Sequence, residues 1–119
     1  MAGYARLLPL LAAVLTCTGC SRKDSDTIRI GVIAELTGDM PAVGASCRNA
    51  ALLAADEANA QGGLQVGAKK YKIQLLIEDN AGKAEQAAAA AEKLIYQNEV
   101  TALIGPNASR YAIPVTEVA

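Results

Sequence analysis

Histidine, phenylalanine and tryptophan are absent from this 119-residue chain, and four tyrosines are its whole aromatic complement. Without histidine, a Cys/His nucleophile pair cannot be built and the usual nitrogen ligands for metals are missing. No charge sign dominates: eleven Lys and Arg stand against twelve Asp and Glu, interspersed. That balance describes a solvated surface and excludes a nucleic-acid footprint. The apolar share is 52%, yet much of it is Ala, which fills space closely but buries little area per residue. The chain therefore supports at most one small domain with a modest core.

What is present begins with an apolar run. Arg6 precedes Leu7 to Leu15, and Thr16, Cys17, Thr18 and Gly19 then lead to Cys20. The run is too short to cross a bilayer as a mature helix. Its end resembles a bacterial lipoprotein signal, in which the cysteine, here Cys20, is lipidated and becomes the first residue of the mature protein. Cys17 stands where a Leu is usual, whereas Thr18 and Gly19 suit the next two positions. Signal cleavage with a soluble product is the alternative. On the lipoprotein reading, residues 1–20 are the signal, residues 21–27 a polar tether, and residues 28–119 the folded part. Acyl chains on Cys20 would then hold the protein on a membrane, each buried methylene contributing about 0.8 kcal/mol. Cys17 leaves with the signal and Cys20 carries lipid, so Cys47 has no partner and no intrachain disulfide is expected.

Beyond the tether, Ile28, Ile30 and Val32 alternate with Arg29 and Gly31, and the run turns wholly apolar through Ile33 and Ala34. This predicts a strand buried on both faces by its end. Leu36 to Gly44 reads as a loop, and a helix follows from about Ala45 to Asn59, stopped by Gln61, Gly62 and Gly63. Its predicted buried face is Cys47, Ala50, Ala51, Ala54 and Ala58, with Cys47 a small buried hydrophobe and Asn49, Asp56 and Asn59 outside. Leu52 falls on the polar side without explanation. Leu64 to Lys70 reads as a turn. Tyr71, Ile73, Leu75 and Ile77 line one face of a second strand, whose other face is partly wet, as at an edge. Asn80 to Lys83 turns into a second helix reaching about Asn98, with Ala84, Ala87, Ala88, Ala91, Leu94 and Ile95 as its stripe. A third strand, about Thr101 to Ile104, runs through Gly105 and Pro106 into a last helix.

The order β-α-β-α-β-α with helix-length crossovers implies an α/β fold: a partial doubly wound parallel sheet with right-handed connections and strand order 2-1-3. Three strands with nothing over the outer edge of the third read as part of a longer protein. Parallel sheets open their binding crevice beyond the carboxyl ends of the strands. Thr37, Gly38 and Gly44 should therefore lie beside Asn107, Ala108 and Ser109. A helix start there offers unpaired N–H groups and the positive end of the dipole to an anion, and Ser109 adds a hydroxyl at the capping position. Ser109 could equally cap the helix and touch no ligand. No Gly-Lys-Ser or Gly-Lys-Thr follows Gly44 and no GxGxxG follows the first strand, which excludes the two common nucleotide motifs. Glu35, Glu78 and Asp79 at strand ends could act as acid and base, but orienting loop backbone or meeting solvent is the better reading. Asn80 suits a helix cap or an Asx turn. No catalytic residue, metal site or cofactor is implied.

Four motifs in sequence order carry a family resemblance. Ile30 to Ala34 followed by Leu36, Thr37 and Gly38 is similar to the first strand and loop of the type I periplasmic solute-binding proteins of ABC transporters, in the branched-chain amino acid (Leu/Ile/Val) family. Ala58 to Gly63 (ANAQGG) resembles that family's first-helix ending, Glu78 with Asp79 the acidic close of its second strand, and Leu103 to Ser109 (LIGPNAS) its third-strand motif. The resemblance covers about Thr27 to Ala119. It implies two α/β lobes joined by hinge strands and closing on a ligand, with residues 28–119 an incomplete N-terminal lobe. It further implies a non-enzymatic, lipid-anchored receptor of the bacterial periplasm or envelope, serving ABC permease subunits.

By the same resemblance, Ser109 matches the serine that binds the α-carboxylate of an amino acid, with Asn107 and Ala108 lining the turn. Val43 occupies a place where an aromatic commonly meets the ligand. Arg110 stands where a small residue is common, either adding charge to an anion site or pointing to solvent. A second possibility is a lipoprotein of the same fold acting as a ligand sensor or envelope-assembly regulator through protein contacts. An enzyme would need catalytic groups from outside this chain.

Overall fold

The computed structural model describes residues 26–119; the proposed signal, Cys17, Cys20 and most of the tether lie outside the described residues. Strand β1 spans Thr27–Ala34, helix α1 Pro41–Ala60, β2 Leu64–Val66, β3 Lys69–Asp79, α2 Ala84–Glu92, β4 Ala102–Ile104 and α3 Ser109–Thr116. The sheet order is β2-β3-β1-β4. β1 pairs in parallel with β3 from Thr27↔Lys72 to Ala34↔Asp79 and with β4 from Ile30↔Ala102 to Val32↔Ile104. The three parallel strands thus stand in the order 2-1-3, as the wet face of Tyr71 to Glu78 implied. Right-handed crossovers in opposite directions put α1 on one face of the sheet and α2 with α3 on the other.

One strand was hidden in the expected turn. Leu64–Val66 folds back antiparallel on β3, with Leu64↔Tyr71 and Val66↔Lys69 paired. Gly67, at φ +60°, supplies the left-handed residue of the two-residue hairpin loop. Three exposed residues are too few to show a period, so the segment looks like loop in the sequence. β3 remains an edge beyond the hairpin.

The core forms where β1 becomes wholly apolar. Val32, Ile33 and Ala34 are fully buried, and Ile33 joins Ala87, Ala90, Ala91, Leu94, Tyr111 and Val115 in one cluster. Gly31 lies on that same face, and a Cβ there would collide with Leu94 and Leu103. The α2 stripe matches the predicted one with Ala90 added. The expected continuous helix to Asn98 instead ends in a π-helical turn, Lys93–Gln97, closed by Asn98 N–H donating to the Lys93 carbonyl at 3.0 Å.

Helix α1 departs further from expectation. It begins at Pro41, whose fixed φ suits a first helical position, so part of the anticipated loop is helical. Its buried residues are Gly44 and Ala55, with Cys47, Ala51, Ala58 and Asn59 half-buried, while Ala50 and Ala54 are exposed. The buried face is rotated from the predicted one, and Cys47 is partly rather than fully covered. Two contacts set that rotation. Gly44 lies so close to Glu35 that a Cβ would collide with its backbone. Asn59, predicted outside, grips β3: its Nδ2 donates to the Ile73 carbonyl and its Oδ1 accepts from the Ile73 N–H, both at 2.8 Å.

Candidate ligand-binding site

The carboxyl ends of β1, β3 and β4 deliver three turns to one edge, and polar side chains bind those turns to one another. Asp79, the last residue of β3, is the hub for the loop after β1. Its Oδ1 accepts from the N–H groups of Leu36 (2.9 Å), Thr37 (3.2 Å) and Ala81 (2.8 Å), and its Oδ2 accepts the Thr37 hydroxyl at 2.6 Å. Burial, the largest single influence, pushes its carboxyl pKa up. The donations from the Thr37 hydroxyl and from Ala81, Thr37 and Leu36 together outweigh it and hold the pKa below the ordinary value. Asp79 therefore orients loop backbone, the role preferred from sequence. Asn80 forms the Asx turn, its Oδ1 accepting the Gly82 N–H at 3.1 Å, while Lys83 takes the N-cap position of α2.

The turn after β4 is joined to the loop after β1 at two levels. Below, Asn107 Nδ2 donates to Glu35 Oε2 at 2.9 Å; Glu35 is completely buried. Above, Asp39 accepts the Tyr111 hydroxyl on both carboxylate oxygens, at 3.1 and 3.0 Å, and pairs with the Arg110 guanidinium. Arg110 also stacks on the Tyr111 ring, 4.5 Å from its centroid. The two loops are neighbours as predicted, but Glu35 and Asp39 join them, whereas Thr37 bonds to Asp79, Gly38 lies against Ala81 and Gly44 against Glu35. Arg110 is exposed, yet it neither points freely to solvent nor stands as an open cation, because Asp39 holds it. Sequence reasoning missed Asp39, and it misplaced Glu35: expected to orient loop backbone or meet solvent, Glu35 is fully buried and accepts from the Asn107 side chain. Their partners lie 71 to 72 residues away, and no local pattern announces them.

Gly105 bends the chain with φ +85°, against the Ile33 carbonyl, where any Cβ would collide. Ala108 is the N-cap of α3 and Ser109 its first helical residue, so the serine does not cap the helix as expected. Its side chain is exposed. Tyr111 and Ala112 both donate to the Ala108 carbonyl, at 2.9 and 3.0 Å. The N–H groups of Ser109 and Arg110 precede them, among those a helix start leaves without an intrahelical acceptor. Val43 is exposed in the first turn of α1. Among the described residues, one concavity of about 410 Å³ runs along β4 between Ile95, Val100, Leu103 and Ala119, and one of about 240 Å³ lies between Glu78, Asp79, Gln86 and Lys93.

A three-layer lobe with parallel strands opening onto a shelf of loop backbone and a free helix start is the architecture of an α/β ligand-binding lobe. The periplasmic binding protein family matches residues 27–119, and the chain belongs to it. The Leu/Ile/Val-binding protein BraC3 of Rhizobium johnstonii is 40% identical over 91 residues, covering 76% of this chain and 23% of its own length. Among solved structures, the branched-chain amino acid transporter substrate-binding protein LivJ of Streptococcus pneumoniae, in complex with isoleucine, superposes with TM-score 0.73 at 32% identity. That match covers 78% of this chain and 26% of the other. A fatty acid ABC transporter substrate-binding protein from Thermomonospora curvata gives TM-score 0.68 at 25% identity, covering 77% and 22%. The chain thus spans about a quarter of the length of the relatives it matches.

Proposed function

We propose that this chain is the first part of lobe one of an extracytoplasmic solute-binding protein. The complete protein captures a branched-chain amino acid or a related small carboxylate between two lobes and delivers it to an ABC permease. One observation carries the reading: the start of α3, with Ser109 exposed and its first N–H groups outside the helical ladder, is fixed beside the first loop by the Asn107–Glu35 and Tyr111–Asp39 hydrogen bonds. Such a terminus favours a carboxylate. In this role Ser109, Ala108 and Asn107 form the carboxylate wall, Val43 borders it, and Arg110 stiffens it through Asp39. The names of the relatives support the amino-acid class, and the fatty-acid relative supports a carboxylate as the common element. Cys20 is the proposed lipidation site, anchoring the protein at a membrane.

The test is titration calorimetry on the full-length protein with leucine, isoleucine, valine, other neutral amino acids and short fatty and aromatic carboxylates. At least one should bind, and Ser109→Ala should weaken it roughly ten-fold through loss of a hydrogen bond to a charged group. A panel without any binder refutes the proposal.

A further inference from the structure

The amino edge of the sheet, opposite the ligand shelf, carries a hairpin of unusual surface chemistry. β1 pairs with β3 only from Thr27↔Lys72 onward, so Lys69, Lys70 and the hairpin joining them to β2 run past the start of β1. Leu64↔Tyr71 and Val66↔Lys69 share one face of that hairpin, with Gln65↔Lys70 on the other. Residues 64–70 are all exposed, Leu64 at 45% and Val66 at 50%. The tip is uncharged through Val66, Gly67 and Ala68, and two lysines follow at once. Between Glu57 and Glu78 there is no Asp or Glu but there are Lys69, Lys70 and Lys72, in a chain whose overall charge is −1. Lys70 and Lys72 donate to the Gln61 and Asn59 carbonyls at 2.7 and 2.8 Å, and Lys69 pairs with Asp26. An ammonium has three donors, so these contacts leave capacity for further acceptors. Asp26 offsets the charge of Lys69 alone.

The ion pair to Asp26 also sets the distance from this hairpin to the proposed lipid anchor. Five residues separate Cys20 from Asp26, so the two lie at most about 22 Å apart even on an extended chain. We propose that the β2–β3 hairpin docks on the membrane that holds the anchor. Leu64, Val66 and Ala68 enter the headgroup region, and the three lysines meet the phosphates of anionic lipids. The inference rests on the lipid-anchor reading above. That anchor makes docking intramolecular, at an effective concentration in the mM range, so contacts too weak to recruit a free protein suffice. Docked in this way, the lobe turns its carboxyl edge, with the ligand shelf, away from the bilayer.

The experiment is amide hydrogen exchange on the full-length, lipidated protein, free in detergent, in phosphatidylcholine vesicles, and in equimolar phosphatidylcholine and phosphatidylglycerol vesicles. Exchange at residues 64–71 should slow several-fold in the anionic vesicles and recover in 1 M salt, where the screening length is about 3 Å. The Leu36 and Thr37 amides, at the opposite edge, should not change. Lys69→Gln with Lys70→Gln should lower the docked-to-free ratio roughly ten-fold, and Leu64→Ser with Val66→Ser should abolish the slowing. All four side chains are exposed, so both variants should keep the wild-type urea midpoint. No slowing in the anionic vesicles, with the protein afloat on them, overturns the docking and leaves the anchor standing. Equal slowing in both lipid compositions overturns the role of the lysines. Protection of residues 64–71 already present in detergent shows that another part of the chain or a second copy covers the hairpin, and overturns the inference as well. Mass spectrometry of the mature N-terminus decides the anchor separately: an unmodified Cys20 refutes the anchor and the docking with it.

Discussion

Removing the Asp79 carboxylate should loosen the edge on which the site is built. Four donors converge on it: the N–H groups of Leu36, Thr37 and Ala81 and the hydroxyl of Thr37. A hydrogen bond to a charged group contributes about 1.5–3 kcal/mol, and bonds to one acceptor are not additive. Thr37 is exposed and can turn to water, so the partly buried Leu36 and Ala81 amides dominate. Asp79→Ala should therefore cost about 3 kcal/mol. Asp79→Asn can keep its Oδ1 on the three amides and let the Thr37 hydroxyl rotate to accept, so it should cost about 1 kcal/mol. The sign with pH follows from the lowered carboxyl pKa. A depressed folded-state pKa contributes stability that is present above the unfolded value, 3.8, and is lost as pH falls through the folded value. The gap between wild type and Asp79→Asn should hold at neutral pH and close below pH 3.8. Urea unfolding of the full-length protein at several pH values reads the gap, and amide exchange at Leu36 and Ala81 localises it. An Asp79→Ala variant within 0.5 kcal/mol of wild type at pH 7 would falsify this account of the hub; so would a wild-type to Asp79→Asn gap that persists unchanged as pH falls well below 3.8.

Leu94 is fully buried over Gly31 and against Leu103, so Leu94→Ala should cost about 2–5 kcal/mol through lost burial and a residual cavity. Its signature is a lower urea midpoint at unchanged slope, and a loss under 1 kcal/mol would mean that the site collapses onto the missing side chain. Arg110 and Asp39 are both more than half exposed, with side-chain accessibilities of 57% and 52%. Arg110→Ala should therefore move the urea midpoint only slightly. That difference should shrink in 1 M salt, where the screening length is about 3 Å, and a larger, salt-insensitive effect would show that the contact with the Tyr111 ring carries the interaction.

The sequence features that proved readable and those that did not differ in physical kind. Ile28 to Ala34 and Tyr71 to Ile77 declare themselves because a strand's burial is written into adjacent residues, by alternation or by an unbroken apolar run. The wetness of Lys72, Gln74 and Glu78 was enough to order the sheet. The α2 stripe was legible because Leu94 and Ile95 give an Ala-rich helix one unmistakable side. In α1 no such contrast exists: Leu52 and Leu53 point outward, alanines surround the axis, and rotation is decided by Gly44 against Glu35 and by Asn59 gripping Ile73. Those determinants are tertiary. The same holds at the site, where the position of Ser109 at a strand-to-helix junction was readable but the clasps on either side of it were not. Asn59, Glu35, Asp39 and Asp79 are all polar, and a polarity scale places each outside. Each is instead drawn inward or sideways by a backbone or side-chain group that needs a partner and that only the folded chain brings near. Polar residues at the carboxyl edge of a parallel sheet are therefore read best by asking which loop donors the strands leave unpaired. At Asp79 that question has a definite answer: an acid at the end of β3 is the nearest acceptor for the amides of the loop leaving β1.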